Sequence, residues 1–174
     1  MAENDITAVE ATEAMDVLTA QERELRYERG FGAREALDLG IAAARLASEF
    51  DEAYTVTITR EEDEAIVFQW LGEGKDARNL VFAAGKRVAA LASGHASPWA
   101  QLEAIASGKA LEEVWARVPE VCPSCGAFPI RVGNEWVATI AVSGLHDGLD
   151  HEVIVRALEQ VLEKTVPRFA VAVA

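Results

Sequence analysis

The stretch from Cys122 to Glu152, CPSCGAFPIRVGNEWVATIAVSGLHDGLDHE, decides the fold of the chain. Two apolar runs, Ala127–Val132 and Glu135–Ser143, flank Gly133-Asn134, and such a pair between alternating residues is typical of a hairpin turn. Apolar residues then recur at helical spacing from about Leu149, after a loop that is flanked by glycines. The stretch therefore predicts two antiparallel strands followed by a helix.

The preceding part of the chain repeats this pattern of a hairpin between helices. Two runs rich in β-branched and aromatic residues, Ala53–Thr59 and Glu64–Trp70, predict strands that are joined by a short charged loop. A loop this short joins antiparallel strands, because a parallel pair needs a long crossover. The sequence therefore predicts an α+β fold on antiparallel strands, with helices over approximately residues 11–29, 33–50, 76–93, 98–108, 111–118 and 149–164.

Composition and charge exclude several classes of function. The chain has 174 residues, the size of one domain, and a net charge of −13, which disfavours nucleic acid and anionic lipid as partners. No apolar run reaches the ~18 residues of a membrane span, and the acidic N-terminus lacks the features of a signal peptide. A cytoplasmic protein is expected. Two cysteines cannot form a disulfide framework.

The two ends of the chain differ in pattern from the middle. Residues 1–20 are predicted to form a flexible or helical acidic segment, in which residues 1–10 lack periodicity and are expected to be disordered. Thr19, with a glutamate three residues later, is predicted to cap a second helical segment. Residues 21–166 are predicted to form a single domain. After the proline at position 167, residues 167–174 are predicted to be a tail or an edge strand.

The two cysteines form a CxxC pair, Cys122-Pro-Ser-Cys125, just before the first strand of the hairpin. Two thiolates at this spacing can grip a tetrahedral metal such as zinc, but a complete site needs further ligands, of which His151 is one candidate. The same spacing also suits a reversible disulfide. A third interpretation is that both cysteines are ordinary residues in a turn, and the sequence leaves these alternatives open.

His151 lies between Asp150 and Glu152 at the predicted start of the last helix. It is a candidate metal or haem ligand, a candidate acid–base group, or a structural brace for the preceding loop. Asp147 and Asp150 are expected to be N-caps rather than a catalytic acid–base pair. The two remaining histidines, at positions 95 and 146, lie in predicted loops and are expected to be solvated.

Several motifs together resemble the GlcG/HbpS-like family, also called PduO C-terminal-like or haem-degrading domain proteins. They are GAFPI (Gly126–Ile130), VSGL (Val142–Leu145), Asp150-His151-Glu152 and Gly85-Lys86-Arg87, with QEREL (Gln21–Leu25) as a weaker signal. The resemblance covers about residues 21–162 and is greatest to a subgroup of small cytosolic proteins. The chain departs from the subgroup pattern where a cysteine, residue 125, replaces the first glycine of a Gly-Gly pair.

The resemblance implies a profilin-like three-layer α/β/α sandwich, in which a central antiparallel sheet has about five strands. It also implies a homo-oligomer, a dimer or higher, and a small-molecule ligand, since some relatives bind haem. The ligand site that the resemblance implies lies at a subunit boundary and is lined by Lys86, Gly126, Phe128, Pro129, Ser143 and His151.

Three functions follow as hypotheses. The first is an oligomer that binds haem or another planar or anionic ligand without catalysis. The second is a metal- or redox-dependent enzyme that uses Cys122 and Cys125, with zinc as the metal and His151 as a further ligand. The third is a scaffold in the assembly of a protein complex.

Overall fold

The computed structural model describes residues 6–146 and 148–174, so the predicted capping role of Asp147 and the predicted disorder of residues 1–5 lie outside it. A short 3-10 turn at Leu46–Glu49 follows the second helix. The strands are β1 (Thr55–Arg60), β2 (Ile66–Leu71), β3 (Ala127–Val132) and β4 (Glu135–Ser143). The helices are α1 (Ala8–Glu24), α2 (Ala33–Arg45), α3 (Ala77–Ser93), α4 (Trp99–Ala106), α5 (Glu112–Trp115) and α6 (Leu149–Leu162).

The four strands form one antiparallel sheet in the order β2-β1-β4-β3. Both predicted hairpins are confirmed, and β1 joins them by pairing with β4 from Thr55–Ser143 to Arg60–Ala138. The prediction of about five strands is not confirmed, because the described residues contain four. Residues 167–174 make no ladder with the sheet in the described structure and are held by other contacts.

Helices lie on both faces of the sheet. In β4, Ile140 and Val142 belong to the large core that includes residues of α1, α2 and α6, whereas Ala141 packs with Ala83 and Ala90 of α3. Adjacent strand residues point to opposite faces, so α2 and α6 cover one face and α3 covers the other. The start of α6 therefore lies beside the end of β4 on the larger core.

The N-terminal helix differs from the prediction at its start and in its interior. The side chains of Thr7 and Glu10 form a capping box, and Glu10 Oε2 accepts a hydrogen bond of 2.7 Å from the Thr7 backbone. The disorder predicted for residues 6–10 is therefore wrong. Thr19 does not cap a second segment, because its hydroxyl donates to the Met15 carbonyl within one continuous helix. By contrast, the helix predicted from about residue 76 does begin there, because the Asp76 side chain caps α3 by accepting a hydrogen bond from the Arg78 N–H.

The residues after α6 turn back along that helix. Glu163 has φ +54°, a left-handed conformation that ends α6. The following C-terminal segment, residues 164–174, contains no helix or strand. Its far end lies beside the start of α6, since a Cβ at Gly148 would be 2.5 Å from the Val173 carbonyl oxygen. The Ala174 carbonyl accepts a hydrogen bond of 3.0 Å from the Cys125 backbone N–H.

Candidate functional site around His151

The first turn of α6 places two consecutive polar side chains in the protein interior. Asp150 is 4% exposed and His151 is 2% exposed. Successive residues of an α-helix point about 100° apart, so the two side chains enter different surroundings. Each buried polar group costs free energy unless it finds partners, and the two residues differ in how completely they do so.

Asp150 forms a buried ion pair with Lys86 of α3. Lys86 Nζ lies 2.6 Å from Asp150 Oδ2 and donates to the Val142 carbonyl at 3.1 Å, while the Leu145 N–H donates to Asp150 Oδ1 at 3.0 Å. Burial raises the pKa of the Asp150 carboxyl, and the Lys86 ammonium and loop N–H groups oppose that rise. The predicted N-cap role of Asp150 is wrong, because its side chain binds this ammonium and the preceding loop.

Gly126 allows β3 to begin directly over this ion pair. It has φ +123°, and a Cβ there would lie 2.4 Å from the Val142 carbonyl oxygen and 2.8 Å from Lys86 Nζ. Ser143, next along β4, is buried, and its carbonyl accepts a hydrogen bond from the Thr55 hydroxyl. Lys86, Gly126 and Ser143, three of the predicted ligand residues, therefore lie in or beside the closely packed contact of β3, β4 and α3. None of the three lines a described cavity.

The hydrogen bonds around His151 identify its tautomer. The Pro167 carbonyl can only accept, so the Gln21 side-chain amide donates to it at 2.8 Å and turns its own oxygen towards His151. Gln21 Oε1 lies 2.7 Å from His151 Nε2, which must therefore carry the hydrogen. Burial, with a contribution from the nearby Arg168 charge, lowers the pKa of His151 from 6.5 to about 3. The ring is neutral near pH 7.

A neutral ring with hydrogen on Nε2 has a bare lone pair on Nδ1. This atom is buried, and among residues 6–146 and 148–174 it has no hydrogen-bond partner. Phe169 stacks on the imidazole at 5.2 Å between ring centroids, and Phe128 lies tilted against it at 5.8 Å. The site thus combines one unshared electron pair with two aromatic faces.

His151 also lines a cavity of about 170 Å³. The cavity lies between the start of α6 and the C-terminal segment, and its walls are Gln21, Gly148, Leu149, His151, Glu152, Arg168, Phe169, Val171 and Val173. Of the six predicted ligand residues, only His151 reaches this cavity, with Phe128 packed behind it. Pro129 is buried in β3, opposite Thr139 of β4.

The two cysteines lie in the interior as free thiols. Cys122 Sγ is 3.1 Å from the Ser124 hydroxyl, and burial raises the pKa of the Cys125 thiol well above its usual range. No three or more His, Cys, Asp or Glu side chains within the described ranges form a group that could hold a metal ion. Cys122, Cys125 and His151 are therefore not gathered into a metal site there.

Comparisons with known proteins agree with this fold. The family model described as "Haem degrading protein HbpS-like" matches residues 31–159, which is most of the chain. The chain belongs to the HbpS-like family. It is 28% identical over 148 residues to a UPF0303 protein of Psychromonas ingrahamii, an alignment that covers 84% of this chain and 91% of that protein.

Two solved structures are similar to this HbpS-like chain in fold. The Ybr137w protein has a TM-score of 0.72 at 21% identity, with 88% of this chain and 87% of that chain covered. The PduOC:Heme complex has a TM-score of 0.63 at 16% identity, with coverage of 74% and 93%. No helix within residues 6–146 and 148–174 combines the length and apolar character that crossing a membrane requires.

Sequence reasoning missed three residues around His151. Gln21 contributed only to a motif of resemblance, although its side chain is fully buried and contacts a histidine 130 residues away. Arg168 and Phe169 belong to a segment that was expected to be a tail or an edge strand. A lone aromatic residue after the last helix was a signal that this segment docks on its own domain.

His95, which was expected to be solvated, is held on both sides. Its ring stacks on Trp99 at 3.7 Å, and its Nδ1 lies 3.0 Å from the buried carboxylate of Glu22. The same carboxylate accepts a hydrogen bond from the Ala96 N–H, so this cluster joins α1 to the loop before α4. His146 is 80% exposed, in agreement with the expectation.

Proposed function

We propose that the protein binds a planar ligand at His151, and that haem is the first ligand to test. The observation that supports this proposal is the bare, buried Nδ1 of the neutral imidazole of His151, a residue that also lines a cavity. A buried lone pair without a partner costs about 1–3 kcal/mol. A ligand that offers a metal centre or a hydrogen-bond donor to Nδ1 would recover this free energy.

The surroundings of His151 favour a ligand that is flat and largely apolar. Phe128 and Phe169 present aromatic rings beside the imidazole, and aromatic surfaces pack well against planar groups. Haem comes first among such ligands because the family description names a haem-degrading protein and one similar fold was solved as a haem complex. Those descriptions belong to the relatives, and they supply a ligand to test here.

The size of the cavity sets a condition on this proposal. Pockets for drug-sized ligands usually have volumes of about 300–1,000 Å³, whereas the cavity beside His151 has about 170 Å³. A tetrapyrrole therefore requires an outer wall that moves or a second subunit that extends the site. Lys86, Gly126, Pro129 and Ser143 are proposed to shape the scaffold behind the ligand rather than to touch it.

A homo-oligomer is part of the proposal. On the α3 side of the sheet, Val81 and Phe82 are 51% and 38% exposed, and Ile66 and Leu71 of β2 are 58% and 44% exposed. Large apolar side chains on adjacent elements are typical of a surface that a partner covers. A second copy of the chain is the proposed partner, and sedimentation velocity at several concentrations tests it.

The proposed role is binding without catalysis. Asp150, the carboxylate next to His151, is occupied by Lys86, and His151 itself is too weak a base to accept a proton near pH 7. The alternative of a redox or metal-dependent enzyme receives no support from the thiols, because a buried protonated thiol is a poor nucleophile and metal ligand.

Titration with hemin, followed by the Soret absorbance band, tests the proposal. Wild type is expected to produce a shifted Soret band with saturation, and His151→Ala is expected to weaken binding at least about tenfold, a loss of ~1.4 kcal/mol. His146→Ala is the matched control, because His146 is exposed at the surface. Equal titration curves for the two variants, both with folded circular dichroism spectra, would contradict the proposal.

A further inference from the structure

The cavity beside His151 has one wall that differs in kind from the others. Gln21, Leu149 and His151 belong to helices, whereas Arg168 and Phe169 belong to the C-terminal segment. This segment runs along α6 in the opposite direction and makes no backbone ladder in the described structure. Such a segment can separate from the domain without breaking a sheet or a helix.

Polar contacts hold the segment at its start. Arg168 lies 2.7 Å from Glu152 and 2.6 Å from Glu159, and Glu159 also accepts a hydrogen bond of 2.8 Å from the Val166 N–H. The arginine is 35% exposed, so solvent screens these ion pairs and each contributes modestly. At the other end, the Ala174 carbonyl binds the Cys125 N–H and the Gln101 amide.

Apolar contacts hold the middle of the segment over the histidine. Phe169 is stacked on the imidazole, and Val173 is buried against the start of α6. Phe169 therefore covers one face of the His151 ring. Polar contacts therefore hold both ends of the segment, and its middle forms the outer wall of the cavity through apolar contacts.

The same segment also determines which nitrogen of His151 carries the bare lone pair. The Pro167 carbonyl orients the Gln21 amide, and this amide fixes the hydrogen of His151 on Nε2. Nδ1 is left as the acceptor atom. Without the carbonyl, the amide of Gln21 can rotate by 180° and present its N–H₂ group instead, which pairs with the other tautomer.

We propose that the C-terminal segment is a displaceable cover through which a ligand reaches His151, and that Gln21 is the positioning residue that presents Nδ1 to it. This inference rests on the proposed function. It identifies the ligand class more narrowly as a flat molecule that accepts an electron pair or donates a hydrogen bond. When the segment moves away, the ligand approaches Nδ1 in the plane of the imidazole, while Gln21 keeps Nε2 protonated.

The cover is tested first without any ligand, by carbethoxylation with diethyl pyrocarbonate, which reacts with accessible neutral imidazoles. In wild type, the exposed His146 should react quickly and His151 slowly. Phe169→Ala and Arg168→Ala should each accelerate modification of His151 about tenfold, as expected when the open fraction rises tenfold. Arg156→Ala is the control, because Arg156 forms a similarly exposed ion pair with Glu49 that lies outside the segment.

Two results would overturn the cover. One is modification of His151 in wild type at the rate of His146. The other is unchanged slow modification in both variants of the segment while peptide mapping shows normal reaction elsewhere. Thermal unfolding followed by circular dichroism distinguishes local opening from global unfolding, because Arg156→Ala should lose similar stability without exposing His151.

Stopped-flow mixing with hemin then separates the cover from the proposed function. Association should be about tenfold faster for Arg168→Ala than for wild type, since the apparent affinity and rate scale with the competent fraction. Faster carbethoxylation without any hemin binding would remove the proposed ligand and retain the cover. Hemin binding at equal rates in wild type and Arg168→Ala would retain the ligand and overturn the cover.

Nitrogen-15 spectra of the imidazole rings test the role of Gln21. Wild-type His151 should show one tautomer, with hydrogen on Nε2, and Gln21→Leu should convert it to a mixture of the two. Gln21→Glu offers only acceptor oxygens at this position and should keep hydrogen on Nε2, either in the neutral tautomer or in an imidazolium paired with the new carboxylate, which a general loss of packing would not do. An unchanged single tautomer in Gln21→Leu would overturn the positioning role.

Discussion

Asp150 and His151 are neighbours in the chain, and both are almost fully buried, yet their surroundings are opposite in kind. Asp150 has an ammonium at 2.6 Å and a loop N–H at 3.0 Å, so its charge is matched by nearby donors. His151 has one hydrogen-bond partner, Gln21, and its other ring nitrogen forms no hydrogen bond with any described residue. Completeness of hydrogen bonding, and not burial, separates the two sites.

This difference separates a polar residue that serves the fold from one that we propose serves a ligand. A complete buried network fixes one arrangement of α3, α6, and β4 with the loop that follows it. It leaves no unpaired hydrogen-bonding group for another molecule. An incomplete network keeps a buried atom without a hydrogen-bond partner, and a ligand that pairs with this atom removes the free-energy cost. Lys86 and His151, which sequence motifs had placed together in one ligand site, therefore belong to two different networks.

The largest effect is expected from Lys86→Met, which leaves the Asp150 carboxylate buried without its partner. Removal of one member of a buried ion pair typically costs about 3–5 kcal/mol, and both side chains here are 5% exposed. Urea denaturation measures the change in the free energy of unfolding. The double variant with Asp150→Leu should recover most of the loss, because it removes the unpaired charge.

Arg60→Met is the control for the loss of an ion pair at the surface. Arg60 and Asp63 are each about half exposed, and little change in stability is expected. If Lys86→Met were as mild as Arg60→Met, the Asp150 site would be open to water, and the contrast with His151 would disappear.

The strands of this fold could be predicted because each carries its own local signal. Gly133-Asn134 between two apolar runs identifies the hairpin of β3 and β4, and the charged loop before β2 identifies the other. About five strands were implied by the resemblance, and residues 167–174, where Phe169, Val171 and Val173 alternate with alanines, were predicted as a tail or an edge strand, but the described residues form four strands and this segment is not among them. Local patterns do not record the side-chain contacts that hold such a segment against α6.

The site was harder to predict, because its defining contacts join distant parts of the chain. From sequence alone the direction of the His151 pKa shift is undecided, because the adjacent acids favour the imidazolium and the helix N-terminus disfavours it. In the structure, burial beside Phe128 and Phe169 lowers this pKa to about 3. Sequence spacing also gives no information on the Gln21 amide, which comes from α1. Individual candidate residues could therefore be predicted from the sequence, but their division into two hydrogen-bond networks could not.

The pH dependence of stability should reveal His151 directly. Its pKa is 6.5 in the unfolded chain and about 3 in the folded one, so the unfolded state binds more protons in this window. Its contribution is complete above pH 6.5 and is lost as the pH falls towards 3. Between pH 6.5 and about pH 5, this amounts to roughly 1.5 kcal/mol.

Urea denaturation of wild type and His151→Phe at both pH values measures this contribution as a difference. The variant should lose about that much less stability on acidification. Asp150 contributes with the opposite sign, because its raised pKa favours the folded state as acid is added, but it is present in both proteins. Identical pH profiles would mean that His151 titrates normally and is accessible to water.

The smallest effect concerns the independence of the two networks. Phe169→Leu keeps an apolar side chain in the C-terminal segment but removes the stacked ring, and stacking contributes about 0.5–1.5 kcal/mol beyond apolar burial. A double-mutant cycle with His151→Leu should give a coupling energy in this range, since the two rings are in contact. The corresponding cycle with Lys86→Met should give a coupling energy near zero, because Lys86 contacts Asp150 and the Val142 carbonyl of β4 instead. A substantial coupling of Phe169 to Lys86 would show that the two networks form one unit, and that a ligand displacing the ring would also strain the ion pair.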